Sequence, residues 1–296
     1  MYRGRFAPSP TGPLHFGSLI AAVASYLDAK AHDGRWLLRI EDLDTPRTLA
    51  GASDAILNCL EAFGFEWDEA IVYQSQRTEL YEKYLNTLKS GDLVYPCSCS
   101  RKEIADSAIQ GIDGVIYPGT CRHGPAKEKQ AKAWRVRTYP ETIAFEDSVQ
   151  GHIEQNMAQD IGDFVLKRAD GLFAYQLAVI VDDAEQRITH VVRGADLLDS
   201  TPRQIYLQQL LELPTPQYLH VPVATNAAGE KLSKQTLAKA IDPYQASKQL
   251  WCTLDFLGQN PPKDLLSNSL GDLWSWAISH WQIAAIPHQR AITIAI

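Results

Sequence analysis

FAPSPTGPLHFGSL, residues 6–19, crowds three prolines, two glycines and a histidine into fourteen positions. Proline removes a backbone donor and restricts the residue before it, so neither a helix nor a strand ladder runs through such a stretch. Upstream, YRGRFA reads as a first strand; downstream, Leu19, Ile20, Val23 and Leu27 follow helical spacing. The stretch is therefore read as the turn between a strand and a helix. In open α/β sheets that place lies beyond the carboxyl end of a strand, where helix N-termini offer free N–H groups to ligands. Gly12 and Gly17 permit close backbone approach, and His15 at the helix start can donate to a phosphate or ribose oxygen. A proline-rich entry to an amphipathic helix accounts for the same residues without any ligand.

The rest of the chain supports an α/β sheet. RWLLRI, residues 35–40, is an apolar run ending in Glu41-Asp42, as a buried parallel strand would be. Two helical patterns follow, Ile56-Leu57-Leu60-Phe63 and Leu80-Tyr84-Leu85-Leu88. Alternating strands and helices point to one α/β body over residues 1–92. From residue 93 the texture turns short, turn-rich and β-like (AWRVRT, TIAFEDSV), which predicts an insertion over 93–160. DFVLKRADGLFAYQLAVIVDD, residues 163–183, carries a turn signal between two apolar runs and predicts a hairpin. ITHVVRGADLL and a helix near 202–212 restore the α/β rhythm, so 161–240 is expected to complete the first body. Residues 241–296 read as helical, with Trp251, Trp274, Trp276 and Trp281 supplying packing bulk.

Composition sets outer limits. The 296 residues are 45% hydrophobic and 21% charged, ordinary values for a globular protein. No apolar run approaches the roughly 20 residues of a membrane helix, and the chain start lacks a signal-peptide core. A cytoplasmic protein with reduced cysteines and no membrane contact is expected. The net charge of −7 argues against a general polyanion binder. Residues 95–140 nevertheless hold eight Lys or Arg against four acids, a local basic face. A solvated surface is the plainer account of that segment.

A second stretch adds chemistry. GEKLSKQ, residues 229–235, places Lys231 and Lys234 around a serine in a glycine-led loop, which alone reads as a basic surface turn. Paired with HFGS, residues 15–18, it resembles the HIGH-like and KMSKS-like signatures of class I aminoacyl-tRNA synthetases. RFAPSPTGPLHFGSL resembles the glutamyl branch of that class more specifically. The resemblance covers about residues 3–240. It implies a Rossmann-type catalytic domain that activates glutamate with ATP and Mg. Carboxylate attack on the α-phosphate builds negative charge, which calls for positioned donors and cations, not for a covalent nucleophile. By this resemblance His15 steadies the α-phosphate and ribose, Gly17, Ser18 and Lys231 contact ATP, and Lys234 neutralises the departing pyrophosphate. The fifth position, Gln235, departs from the Arg or Ser common in the larger enzymes.

Glutamate carries two carboxylates and an ammonium, so its pocket wants two guanidinium forks and an acid. The family's glutamate-binding positions fall here on Arg5, Phe6, Ala7, Pro8, Ser9, Glu41, Tyr175 and Arg193. Arg5 and Arg193 would take carboxylates and Glu41 the ammonium. Asp196 is a further acid that could order ATP or Arg193. Taken singly, each of these residues reads equally as a surface ion pair or a core side chain.

Cys97-Ser98-Cys99 with Cys121 supplies three ligands of a tetrahedral zinc site. Ligand chemistry alone favours His123 as the fourth. Some full-length glutamyl enzymes carry a pattern that His123 satisfies, but shortened paralogues carry Cys-x-Cys…Tyr-x-x-x-Cys, matched by Cys97, Cys99, Tyr117 and Cys121, and this resemblance selects Tyr117. Such a zinc would be structural, knitting a small insertion. Three unpaired thiols in a loop are the plain alternative.

After Gln235, 61 residues follow, fewer than the anticodon-binding module of the full-length enzymes would need. The resemblance therefore narrows to the shortened paralogues, which imply a monomer that transfers glutamate to queuosine at the wobble position of tRNA(Asp). Two rivals stand: a minimal enzyme charging the tRNA 3′ end, and a non-catalytic tRNA or nucleotide binder on a retired synthetase fold.

Overall fold

The computed structural model describes residues 1–105, 109–112, 114–124, 131–232 and 239–294. The first half runs β1 (Arg3–Phe6), α1 (Phe16–Ala31), β2 (Arg35–Ile40), α2 (Ala52–Ala62), β3 (Val72–Tyr73) and α3 (Thr78–Ser90). It continues through β4 (Val94–Cys97), α4 (Arg101–Ala105), β5 (Ile109–Gly111), β6 (Gly114–Ile116), β7 (Ala133–Val136), β8 (Thr142–Asp147) and β9 (Gly151–Asn156). The second half holds β10 (Val165–Lys167), α5 (Tyr175–Glu185), β11 (His190–Gly194), α6 (Thr201–Leu210), β12 (Gln217–Val221) and β13 (Val223–Thr225). α7 (Ala246–Phe256), α8 (Leu270–His280) and β14 (Ala291–Thr293) follow.

The parallel core is built from both halves. β1 pairs with β2 from Arg3↔Arg35 to Phe6↔Leu38, and β2 with β3 at Arg39↔Val72. On its other side β1 lies against β11, tied by the Thr189 N–H to the Arg3 carbonyl at 2.9 Å. β11 then pairs with β12 from His190↔Gln217 to Gly194↔Val221. The spatial order β3-β2-β1-β11-β12 reverses direction between β1 and β11, which is where a doubly wound sheet opens its ligand crevice.

Side chains alternate across this sheet as its pleat requires. In β2, Trp36, Leu38 and Ile40 pack with α1, α7 and α8, where Leu19, Val23, Leu254 and Leu273 are fully buried. Leu37 faces the opposite core, with Leu85, Leu177, Val181 and Leu207. Each half-buried helix thus presents an apolar stripe to one face of the sheet. The C-terminal helices are docked by polar contacts too: the Trp274 indole donates to the Phe63 carbonyl at 2.8 Å and Trp281 to Asp28 at 3.0 Å.

The hairpin expected over 163–183 is half wrong. Lys167 and Phe173 form one antiparallel bridge about the turn, but Tyr175–Glu185 is helix. Both faces of that helix are buried, so its apolar residues are continuous and show no helical period. Residues 93–160 are knit to their surroundings: β7 pairs with β4 and β10, and β8 meets β12 at Tyr218↔Asp147.

Candidate active site

A cavity of about 580 Å³ opens at the point where the strand order reverses. Arg5, Phe6, Ala7 and Ser9 enter it from the end of β1, Glu41 from the end of β2, and Arg193 from β11. Tyr175 comes from the start of α5, and His15, Gly17 and Ser18 from the start of α1. Lys231 and Asp196 complete the wall. Pro8 is buried behind the wall, and its carbonyl holds the Glu41 N–H at 3.0 Å.

Strand parity explains the polar end. Arg5 stands opposite Leu37, so it shares a face with Leu37 and with Arg39, two residues on. Buried there, Arg5 donates to both carboxylate oxygens of Asp183, at 3.0 and 3.3 Å, and Arg39 adds a 2.8 Å bond to the same group. Burial alone would raise the Asp183 carboxyl; Arg5 and Arg39 outweigh it and hold it below the ordinary range. Glu41 moves the other way. Its burial pushes the carboxyl up despite the guanidinium groups of Arg39, 3.3 Å away, and Arg5. A substrate ammonium beside Glu41 would supply the missing charge. Arg193 donates to the Tyr175 hydroxyl at 3.3 Å, to Thr201 at 2.8 Å and to the His220 ring at 2.9 Å.

At the other end His15 caps α1. Its ring accepts the Ser18 N–H at 3.3 Å and lies 3.2 Å from the Ser18 hydroxyl. Lys231 is paired with Asp196. Ala240 bridges to the His15 backbone, and Leu232 lies against Gly17, so both flanks of residues 233–238 abut HFGS. Lys234 itself lies outside the described residues. Among the described residues, Leu232 of the second signature and Ala240 beyond it therefore lie beside the first, more than two hundred residues away in the chain.

The cysteine cluster is separate. The sulfurs of Cys97, Cys99 and Cys121 lie within 4.8 Å of one another. The Tyr117 hydroxyl sits 3.5 Å from Cys97 and 3.3 Å from Cys99, and accepts the Cys121 N–H at 2.9 Å. Three thiols and a phenol converging at one point suit a small thiophilic cation of tetrahedral habit. His123 is exposed and lies outside this group. Hydrogen bonds from Ser98 and Tyr117 overcome the opposing effect of burial and bring the Cys121 thiol down to about 6.

Sequence reasoning named the arginine forks but missed what holds them. Asp183 and Arg39 are buried, as are His220 and Asp147 behind Arg193. Asp44, Arg47 and Arg168, on the rim of the cavity, were also missed; Asp44 pairs with both arginines. The one available signal for the first group was acidic residues inside apolar text, in IVDD and RIED.

Known proteins resemble this chain over most of its length. The model of the family "tRNA synthetases class I (E and Q), catalytic domain" matches residues 1–257. The glutamyl-Q tRNA(Asp) synthetase of Dechloromonas aromatica is 58% identical over 99% of this chain and 98% of its own length. That of Neisseria meningitidis serogroup B is 54% identical over 99% of each chain. Among solved structures, a glutamate tRNA ligase from Elizabethkingia meningosepticum superposes with a TM-score of 0.80 at 24% identity. A glutamate-tRNA synthetase from Elizabethkingia anophelis gives 0.81 at 24%. These two share the fold, covering 97% and 99% of this chain, which spans 66% and 68% of theirs. The chain belongs to the class I glutamyl and glutaminyl tRNA synthetase catalytic-domain family.

Proposed function

We propose that the protein activates L-glutamate with ATP and transfers the glutamyl group to queuosine at the wobble position of tRNA(Asp). The observation that carries this reading is that one cavity is lined by Arg5, Glu41, Tyr175 and Arg193 together with His15, Gly17, Ser18 and Lys231. Arg5 and Arg193 take the carboxylates, Glu41 the ammonium, and Tyr175 adds a hydroxyl; Phe6, Ala7 and Ser9 form the floor, with Pro8 buried behind it. The α-carboxylate oxygen attacks the α-phosphorus, the bond to the bridging oxygen breaks, and pyrophosphate leaves. His15, the Gly17 N–H and the Ser18 hydroxyl stabilise charge on the α-phosphate, and Lys231 and Lys234 attend the leaving group. Mg, bound with ATP, offsets charge on the phosphates. A hydroxyl of the queuosine diol then attacks the adenylate carbonyl, AMP departs, and its phosphate can take the hydroxyl proton.

Relatives of nearly the same length at 58% and 54% identity bear the glutamyl-Q name, and this supports queuosine as the acceptor. Cys97, Cys99, Tyr117 and Cys121 would hold one zinc, whose role is to organise the 93–160 insertion. The basic face around Arg122, Lys132 and Arg137 would grip the tRNA backbone. The test is pyrophosphate exchange with glutamate and ATP, followed by transfer of labelled glutamate to tRNA with and without queuosine. Exchange without transfer to either tRNA would defeat the acceptor assignment, and absence of exchange the whole reading.

A further inference from the structure

The two arginines of the glutamate pocket are held in opposite ways. Arg5 is bonded directly to a carboxylate, Asp183. Arg193, among the described residues, has only neutral partners: the His220 ring, the Tyr175 and Thr201 hydroxyls and the Leu197 carbonyl. Behind it stands a second carboxylate at one remove. His220 Nδ1 lies 2.6 Å from Asp147 Oδ2, and both side chains are fully buried.

The partners settle the tautomer. Arg193 Nε–H can only donate, so His220 Nε2, 2.9 Å away, must present its lone pair. The ring proton therefore sits on Nδ1 and is given to Asp147. Asp147 cannot turn away, because Oδ1 accepts the N–H groups of Val149 at 3.0 Å, Gln150 at 2.8 Å and His220 at 3.1 Å. A carboxylate touching Arg193 would compete with the substrate carboxylate for the same fork; Arg5, held by Asp183 through Nε and Nη2, would meet its carboxylate through Nη1. A neutral imidazole orients the fork and leaves its charge for the ligand.

We infer that Asp147 and His220 are positioning residues that fix the ring tautomer and thereby aim an un-neutralised Arg193 at a carboxylate of glutamate. This rests on the reading of Arg193 as a glutamate-binding residue. Asp147 lies at the end of β8, within the 93–160 segment, so that segment shapes the amino-acid pocket as well.

Asp147→Asn makes a sharp test. Asn Oδ1 can keep the three backbone N–H groups, which turns its NH2 toward His220 Nδ1. The ring then presents a lone pair at Nδ1 and moves its proton to Nε2, where it meets Arg193 Nε–H donor against donor. Pyrophosphate exchange is measured with glutamate and ATP varied separately, alongside thermal melting. Asp147→Asn and His220→Ala should each raise the glutamate KM about 10- to 100-fold, the loss typical of a hydrogen bond to a charged group. The ATP KM should stay within about twofold, since a group outside the nucleotide end alters uniform binding of one substrate only. His220→Gln, whose amide oxygen can accept from Arg193, should recover part of the loss. Arg193→Ala is the control: if it leaves the glutamate KM unchanged, the site reading itself falls, and this inference with it. If Arg193→Ala acts while folded Asp147→Asn or His220→Ala does not, or if both KM values rise together, the positioning role alone is overturned. Should His220→Ala not fold, Asp147→Asn and His220→Gln decide by the same criteria.

Discussion

Gly17 and Leu232 meet so closely that a Cβ at residue 17 would stand 3.1 Å from the Leu232 carbonyl oxygen and 3.2 Å from the His15 ring. Here the first turn of α1 touches Leu232, a residue of the second signature itself. Nothing in the backbone angle of Gly17 demands glycine; the space does.

Gly17→Ala should therefore act on ATP and not on folding. Alanine favours helix over glycine by about 1 kcal/mol, which offsets the crowding in the stability balance. The Leu232 carbonyl must retreat by a few tenths of an ångström, carrying Lys231 with it. Exchange kinetics should show an ATP KM raised about tenfold, a shift of about 1.4 kcal/mol, with the glutamate KM and the melting temperature nearly unchanged. A normal ATP KM would show that the contact is incidental.

Glutamate should be activated in preference to glutamine and aspartate, because glutamine leaves one fork without an anion. Arg5→Ala and Arg193→Ala should both raise the glutamate KM, yet only the first should cost much stability. Removing Arg5 strips a buried carboxylate of one of its two guanidinium partners, which destabilises by about 3 kcal/mol. Removing Arg193 exposes only neutral acceptors. Substrate-dependent exchange and melting curves check both halves; equal exchange with glutamine would sink the assignment.

How much of this was legible in the sequence follows the range of each interaction. α1 and β2 were readable because their patterns are local: Leu19-Ile20-Val23-Leu27 for a helix against one sheet face, RWLLRI for a strand buried on both. Tyr175–Glu185 was not, because a helix buried on two sides loses its period. The pocket arginines could be named from the motif they sit in. Their supports could not, since Asp183 reaches Arg5 across 178 positions and Asp147 reaches His220 across 73. That Tyr117, and not His123, turns toward the sulfurs is a fact of local geometry that ligand frequencies do not carry.

Protein purified without chelator should hold one zinc per chain. Cys99→Ser and Tyr117→Phe should lower the metal content, whereas His123→Ala, whose ring is exposed, should not. Loss of the metal should lower the melting temperature by several degrees, since structural zinc contributes directly to folding. Elemental analysis with melting curves tests this; unchanged zinc in both the cysteine and tyrosine variants would show the site to be misread.

Stability should fall in acid partly through His220. Burial presses its ring down to about 4, with the Arg193 charge in the same direction and Asp147 and Asp196 opposing. A ring held neutral in the folded state binds its proton later than in the unfolded chain, whose value is near 6.5. Its contribution is thus complete above about 6.5 and lost as pH falls toward about 4. Melting temperatures across that window should drop more steeply for the wild type than for His220→Gln. Parallel curves would refute the assignment.

The glutamyl acceptor should be queuosine and not the 3′-terminal adenosine. A ribose end and the cyclopentene of queuosine both present a cis-diol, so one adenylate site could acylate either. Delivery separates them, and delivery depends on which arm of the tRNA the catalytic body grips. Arg122 and Arg137 lie side by side, the Arg137 guanidinium donating to the Arg122 carbonyl at 2.8 Å, with exposed Tyr139 beneath Arg122 as a stacking surface. Guanidinium groups and an aromatic face together suit a short length of single-stranded or looped RNA, such as an anticodon arm. Labelled glutamate should attach to tRNA(Asp) only when queuosine is present. Arg122→Ala should weaken that transfer and flatten its salt dependence while leaving pyrophosphate exchange intact. Periodate treatment would be ambiguous, because it cuts both diols, so the cleaner substrate is tRNA from cells unable to make queuosine. Robust charging of that tRNA at its 3′ end would return the protein to the ordinary synthetase reading.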